Sequence, residues 1–308
     1  MSFSLRILGS NSSLPTSKRF STAHLLNVNE RFFLIDCGEG TQIQLRRYKA
    51  KFSRLNHVFI SHLHGDHYFG IFGLLSTFTL LGRKHDLHIY APPDLEQMLK
   101  AMFSYTDAPS YGLVFHHTNH RHKEIIYEDK RMTVETIPLK HRIPTTGFLF
   151  REKPKMRNMI KDIIPFYKIP IKEIVAIKQG KDFVTENGVL IPNSRLTTAP
   201  PKPKSYAFCS DTAYNEKIIE QIKGVDLLYH EATFAKDMIK RAKETKHSTA
   251  EQAAELARKA EVKNLLIGHY SARYRNPQTL LDEAKKIFPR TIAAEDGLLI
   301  DFENGMDK

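Results

Sequence analysis

Cysteine is almost absent from this 308-residue chain: only Cys37 and Cys209 occur. Two cysteines are too few for a disulfide framework, and neither belongs to a Cys-x-x-Cys pair, so thiolate metal knuckles and dithiol redox chemistry are excluded. Both sit in apolar, strand-like settings and read as core fillers, which places the chain in a reducing cytoplasm. Long apolar runs are also missing. The nearest candidate, residues 69–81, is broken by Gly70, Gly73, Ser76, Thr77 and Thr79 and falls short of the roughly 20 apolar residues of a membrane span. Residues 1–8 alternate like a strand and contain no secretory apolar core. A complete dinucleotide loop is lacking too, because Asp36-Cys37-Gly38-Glu39-Gly40-Thr41 is followed by Ile43 where a third glycine would stand. Negative charge is the scarcer sign. With 34 Asp and Glu against 46 Lys and Arg, the net charge is +12, and such a surface attracts polyanions: nucleic acid first, anionic membrane second.

What the chain does have is a dense donor cluster, Ser61-His62-Leu63-His64-Gly65-Asp66-His67, directly after the apolar run Val58-Phe59-Ile60. Extended backbone projects residues i and i+2 to one side, so His62 and His64 can share an ion; Gly65 lets the chain bend, and Asp66 and His67 then face elsewhere. The economical reading is two adjacent metal ions, with imidazole and carboxylate donors that suit zinc and, less exclusively, manganese or iron. A His-rich loop without function is the competing reading in a chain holding 15 His. It is outweighed because four later apolar runs also end in donors: 132–139 before His141, 205–209 before Asp211, 225–229 before His230-Glu231, and 262–268 before His269. Ligand sites of open sheets gather where strands end at one edge. Asp36, at another strand end, suits an acceptor for the spare N–H of a ligating histidine. A second group, His116, His117, His120 and His122, lacks the apolar lead-in and reads as a solvated turn or strand edge.

Residues 151–203 differ from their surroundings. Between Arg151 and Lys181 there are nine Lys/Arg against Glu152, Asp162 and Glu173, a net of +6, which is half the excess of the chain. Pro154, Pro165, Pro170 and Pro192 punctuate the segment, and Pro200-Pro201-Lys202-Pro203 closes it. Proline at this density interrupts helices, so an inserted basic arm with an extended or hairpin-like course is expected, returning at Lys204. Loops this long tend to be functional. The last hundred residues alternate strand and helix. Ser248-Thr249-Ala250-Glu251 reads as a capping box for a helix through Ala260, which would hold His247 at the helix entrance.

The pattern His-x-His-x-Asp-His (62–67), followed by a lone His, a lone Asp and a last His, resembles the metallo-β-lactamase superfamily. Within it, His230-Glu231-Ala232-Thr233, His247-Ser248-Thr249 and the run from His269 to Tyr274 resemble the ribonuclease Z family of tRNA 3′-processing endonucleases, over nearly the whole chain. The resemblance implies an α/β fold, a metallo-β-lactamase-like αββα sandwich, as a single domain over 1–308 with a flexible tRNA-binding exosite inserted at 151–203. It implies two Zn2+ per chain, with Mn2+ or another divalent ion as alternatives. His62, His64 and His141 would hold one, Asp66, His67 and His269 the other, and Asp211 would bridge. Asp66 would take the proton of the attacking water; His247, oriented by Glu231, would protonate the leaving ribose 3′-oxygen; Arg273 would hold a phosphate oxygen. Phe166, Tyr167 and Lys168 of the arm would meet RNA by stacking and phosphate contact. The implied reaction removes the 3′ trailer of precursor tRNA after the discriminator base, leaving a 3′-hydroxyl on the tRNA and a 5′-phosphate on the trailer. A cytoplasmic homodimer is implied, with one subunit's arm serving the other's site and no membrane partner. Two departures stand out. Pro15 and Arg19 match a family loop motif in which Ser17 and Phe20 replace Lys and Asn, and the arm reads Ile164 to Pro170 where a Gly-Pro-rich tip is usual. Rival readings are a hydrolase of a small phosphodiester or thioester, a non-catalytic RNA-binding relative, and a membrane-surface protein.

Overall fold

The computed structural model describes residues 3–14 and 16–303, so Pro15 lies outside the described residues. The chain divides into two compact units, one of residues 1–128, 133–150 and 204–308, the other of 129–132 and 151–203.

The first unit is built on two seven-stranded sheets. One runs, in spatial order, Leu299–Asp301, Phe3–Gly9, Ala23–Val28, Arg31–Ile35, Leu55–Phe59, Leu87–Ala91 and Leu113–His117, antiparallel up to Arg31–Ile35 and parallel beyond it. The other starts with four parallel strands, Thr291–Ala293, Leu265–Gly268, Leu227–Glu231 and Ser205–Cys209, and ends with Thr146–Glu152, Met132–Pro138 and Ile125–Glu128. Strands buried on both faces need apolar side chains on both, which is why these parallel strands read as continuous apolar runs. Every residue of Ser205–Cys209, Leu227–Glu231 and Leu265–Gly268 is buried.

An aromatic layer joins the sheets. Phe59 meets Phe148 and Phe150 edge-on at 5.4 and 5.3 Å, and His24 meets Phe208 and Tyr229 edge-on at 5.1 and 4.4 Å. On the outer face of the first sheet, Val58, Ile60, Leu87 and Ile89 pack with Ile71, Leu74 and Phe78 of helix Gly70–Leu80 and with Leu95 and Leu99 of helix Asp94–Phe103. On the outer face of the second, Ala207, Leu228, Leu265 and Ile267 pack with the apolar stripes of helices Ala250–Lys259 and Gln278–Ile287. The expected αββα layering is therefore present. No helix among the described residues is long and apolar enough to cross a membrane.

Local expectations shift in three places. The capping box lies one residue later: Thr249 Oγ1 accepts from Gln252 N at 3.3 Å, and Gln252 Oε1 from Thr249 N at 3.0 Å, while the Ser248 hydroxyl donates to Thr212 O. The buried Ser248 therefore has a tertiary partner and is not available as the cap. Residues 216–222 form a 3-10 turn and a single helical turn in place of one longer helix. His116 lies on the edge strand Leu113–His117, as expected of a strand edge, but is half-buried and not fully solvated, stacked on Tyr90 at 4.3 Å with its Nε2 3.0 Å from His88 Nδ1.

The second unit carries its own apolar cluster of Ile169, Ile177, Phe183, Ile191 and Leu196, with a helix Ile171–Lys178 and two short strand pairs. The hairpin of Phe183–Val184 and Leu190–Ile191 accords with a hairpin-like course, whereas the helix and apolar cluster depart from an extended one. Pro170 and Pro192 stand immediately before helices Ile171–Lys178 and Asn193–Leu196, where their missing N–H costs nothing, so these prolines start helices and do not break them.

Thr249→Ala should lower stability by about 1 kcal/mol through loss of the cap, read by urea unfolding. Gln252→Ala should cost more than Glu251→Ala, an order that the other register would reverse.

Candidate metal centre

The donors converge because the parallel strands end at one rim. Asp36 follows strand Arg31–Ile35 with φ 57°, and His269 follows Leu265–Gly268 with φ 60°. Side chains rarely adopt this region, and here it turns both chain ends toward the rim. Gly38 permits close approach of the Asp36 loop: a Cβ there would lie 2.4 Å from Asp66 O.

Among the described residues three groups of donor atoms result, each with its atoms within 4.8 Å of one another; two hold the seven expected ligands, and the third joins Asp211, His247 and His269. In the first, His62 Nε2 lies 3.0 Å from His64 Nδ1, and His141 Nε2 lies 3.3 Å from the same atom. Asp211 Oδ2 is 3.6 Å from both His62 Nε2 and His141 Nε2. In the second, His67 Nε2 and His269 Nε2 are 3.3 Å apart, and Asp66 Oδ2 lies 3.4 and 3.3 Å from them. Asp211 Oδ1 reaches both at 3.4 and 3.1 Å, so its two oxygens face different groups. A tetrahedron drawn with bonds of the usual first-row length has an edge of roughly 3.3 Å, the spacing found here. Among the described residues Asp211 Oδ1 is buried with no hydrogen-bond partner, as an atom reserved for a cation would be. The residues fit a divalent metal ion.

The far nitrogens of four imidazoles are held. His67 Nδ1 is 2.7 Å from Asp36 Oδ2, and Asp36 also accepts from Ser61 N and Ser61 Oγ at 2.7 and 2.9 Å. His62 Nδ1 is 3.0 Å from Ser61 Oγ, His141 Nδ1 2.9 Å from Lys246 O, and His269 Nδ1 2.9 Å from Thr233 Oγ1. Such contacts fix the ring and its tautomer. Asp36 was legible as a support at a strand end; Ser61, Thr233 and the Lys246 carbonyl were not.

Electrostatically the cluster is a buried set of carboxylates waiting for positive charge. Burial opposes charge on Asp211 most, yet His269, His67 and His247 hold its carboxyl well below the usual range. Burial likewise disfavours charge on His67, but Asp66, Asp211 and Asp36 carry it well above the ordinary imidazole value. Glu231 is fully buried and accepts from His247 Nδ1, Ser248 N and Thr212 N at Oε1 and from Thr233 N and Oγ1 at Oε2. For His247, burial pulls down, but Glu231 and Asp211 raise it to about 9. Asp66 Oδ2 accepts the Ser13 N–H at 2.7 Å.

A cleft of about 340 Å³ opens on the cluster, and His64, Asp66, Asp211 and His247 line it together with Arg142. Arg273 does not line it; its Nε donates to Ser271 Oγ at 3.1 Å and its guanidinium covers Phe234 at 5.4 Å. His230 belongs to none of the donor groups. Phe166, Tyr167 and Lys168 lie in the second unit, where Phe166 is 75% exposed and meets Tyr167 edge-on at 4.8 Å.

Comparison with known proteins gives a consistent outcome. A family model described as Anti-Pycsar protein Apyc1 matches residues 3–154. The Ribonuclease Z of Bacteroides thetaiotaomicron is 52% identical over 306 residues, covering 99% of this chain and 97% of that protein. The Ribonuclease Z of Porphyromonas gingivalis is 46% identical over 300 residues, covering 97% and 99%. Among solved structures, the short form of human tRNase Z superposes with a TM-score of 0.71 at 24% identity, over 99% of this chain and 100% of that one. The metallo-beta-lactamase fold protein YhfI from Bacillus subtilis gives 0.69 at 18% identity, over 98% and 100%. These two establish the fold.

Asp36→Asn removes no direct donor, yet it should weaken metal affinity by about 10–100-fold by releasing the His67 ring, as measured by chelator competition.

Proposed function

The chain belongs to the ribonuclease Z family, and on that premise we propose that it is a zinc-dependent endoribonuclease that removes the 3′ trailer from precursor tRNA. Cleavage after the discriminator base would leave a 3′-hydroxyl on the tRNA and a 5′-phosphate on the trailer. The observation that carries this reading is the Glu231–His247 pair, 2.9 Å apart, set beside the donors that share Asp211.

In this reading His62, His64 and His141 would hold one ion and Asp66, His67 and His269 the other, with Asp211 offering an oxygen to each group. Two Zn2+ bound there would supply Lewis acidity at neutral pH and offset charge on the reacting phosphate. Asp66 Oδ2 is occupied by the Ser13 N–H, which leaves Oδ1 to take the proton of the attacking water. His247 Nδ1 is tied to Glu231, so Nε2 carries the proton delivered to the departing ribose 3′-oxygen. A leaving alkoxide needs a protonated donor, and the buried Glu231 keeps His247 in that state.

Residues 151–203 are proposed as the tRNA-binding exosite, where Lys168 would contact a phosphate and Phe166 and Tyr167 would stack. Recognition would be of shape and backbone more than sequence. A cytoplasmic homodimer, with each arm serving the partner's site, completes the proposal.

The deciding experiment is incubation of the purified chain with a trailer-bearing precursor tRNA, with and without chelator, mapping the new ends. Chelator-sensitive cleavage after the discriminator base is expected. Turnover of a small phosphodiester with intact precursor tRNA would favour the small-substrate hydrolase instead.

His247→Ala should lower kcat by about 10²–10⁴-fold with metal content retained. His247 also shares a donor group with Asp211 and His269, so loss of metal would make it a ligand and remove it as the acid. Because the acid must be protonated, activity should fall on the alkaline side; burial and bound cations lower that limb, while Glu231 and Asp211 raise it. Glu231→Gln should move that alkaline limb of kcat/KM to lower pH.

A further inference from the structure

Among the described residues lining the cleft over the donor cluster, Arg142 is the one arginine or lysine. It follows His141 in a turn that is pinned on both sides. Lys140 N donates to Thr212 Oγ1 at 3.0 Å and Ala213 N to Lys140 O at 2.9 Å, tying the turn to the segment that carries Asp211. His141 Nδ1 donates to Lys246 O at 2.9 Å and Lys246 Nζ to His141 O at 3.3 Å, tying it to the segment that carries His247. The backbone that presents an imidazole to the metal group thus also sets where the guanidinium starts.

The Arg142 side chain is exposed and makes no hydrogen bond or ion pair among the described residues, although Glu39, Asp66 and Asp211 line the same cleft. Arg273, two residues past Ser271, is engaged with the Ser271 hydroxyl and the Phe234 ring and stands outside the lining. A planar fork of N–H donors that lines the cleft of a hydrolytic centre, with no carboxylate claiming it, matches the non-bridging oxygens of a phosphate.

We propose that Arg142 grips a non-bridging oxygen of the scissile phosphodiester and stabilises the extra negative charge of its transition state, the role that resemblance would give to Arg273. The proposal rests on the phosphodiester-hydrolase part of the reading above but not on the identity of the RNA.

The test uses the metal-loaded full chain, Arg142→Ala and Arg142→Lys. Inorganic phosphate is titrated calorimetrically, and bis(4-nitrophenyl) phosphate, which has a phosphodiester but no RNA features, is used for turnover. Arg142→Ala should weaken phosphate binding at least tenfold and lower kcat/KM for the diester by about 10²–10³-fold, with metal content unchanged. Arg142→Lys should fall between, because lysine keeps the charge and loses the fork. Three results overturn the proposal: phosphate that binds wild type and Arg142→Ala equally or neither of them, a loss of turnover confined to RNA, or a loss of metal in Arg142→Ala. Failure of the wild type to cut precursor tRNA would sink the substrate assignment while leaving the phosphate and diester comparisons intact.

Discussion

The structure depends on one buried carboxylate. Asp211 is 2% exposed and turns one oxygen to each of two imidazole groups. An ionised carboxylate out of water is costly unless charge and hydrogen bonds compensate it, and among the described residues Asp211 Oδ1 has no hydrogen-bond partner. His269, His67 and His247 supply part of that compensation, and a cation at the shared focus of the donors would supply the rest. Asp36, Asp66 and Glu231 add three more carboxylates to the same rim, so the site is built around positive charge that the protein receives and does not itself fully supply.

The αββα layering serves that requirement. Packed aromatic side chains between the sheets leave little freedom for the strand ends, and donors separated by as many as 203 residues, such as Asp66 and His269, stay within 3.3 Å. Close-packed interiors transmit small displacements, so the held imidazole nitrogens matter as much as the ligand atoms. Asp36 illustrates this: one side chain fixes the Ser61 backbone, the Ser61 hydroxyl and the His67 ring together.

The resemblance implied the seven expected ligands, and an apolar run followed by a His or Asp marked the strand ends before His141, Asp211 and His269, although the same signal marked His230, which joins no donor group. The supporting groups carry no such signal. Ser61 and Thr233 are small hydroxyls of a kind common in turns, and the Lys246 carbonyl is backbone, so only three-dimensional contact reveals them. Arg142 escaped for a related reason, being one cation in a chain with 46 Lys and Arg. The core of the second unit was hidden by spacing: Ile169, Ile177, Phe183, Ile191 and Leu196 are scattered among prolines and lysines with no single period. Ser248 and Thr249 are equally good caps by composition, and the register between them was decided by the contact of Ser248 with Thr212.

On the proposed assignment of His247 as the acid, Glu231 accounts for how a proton donor would operate beside donors that suit a cation. Positive charge at the donor cluster would by itself drive His247 to release its proton early. Burial alone would also raise Glu231 out of its ionised form, but His247 beside it holds its carboxyl below the usual range. Five hydrogen bonds reach that carboxylate, four of them from groups other than His247, so it stays ionised and fixed even when the imidazole gives up its proton. Thr233 links the two functions, since its hydroxyl donates to Glu231 Oε2 and lies 2.9 Å from His269 Nδ1. The ring that faces the metal group and the carboxylate that sustains the acid are therefore held by one side chain, and a change at either is felt at both.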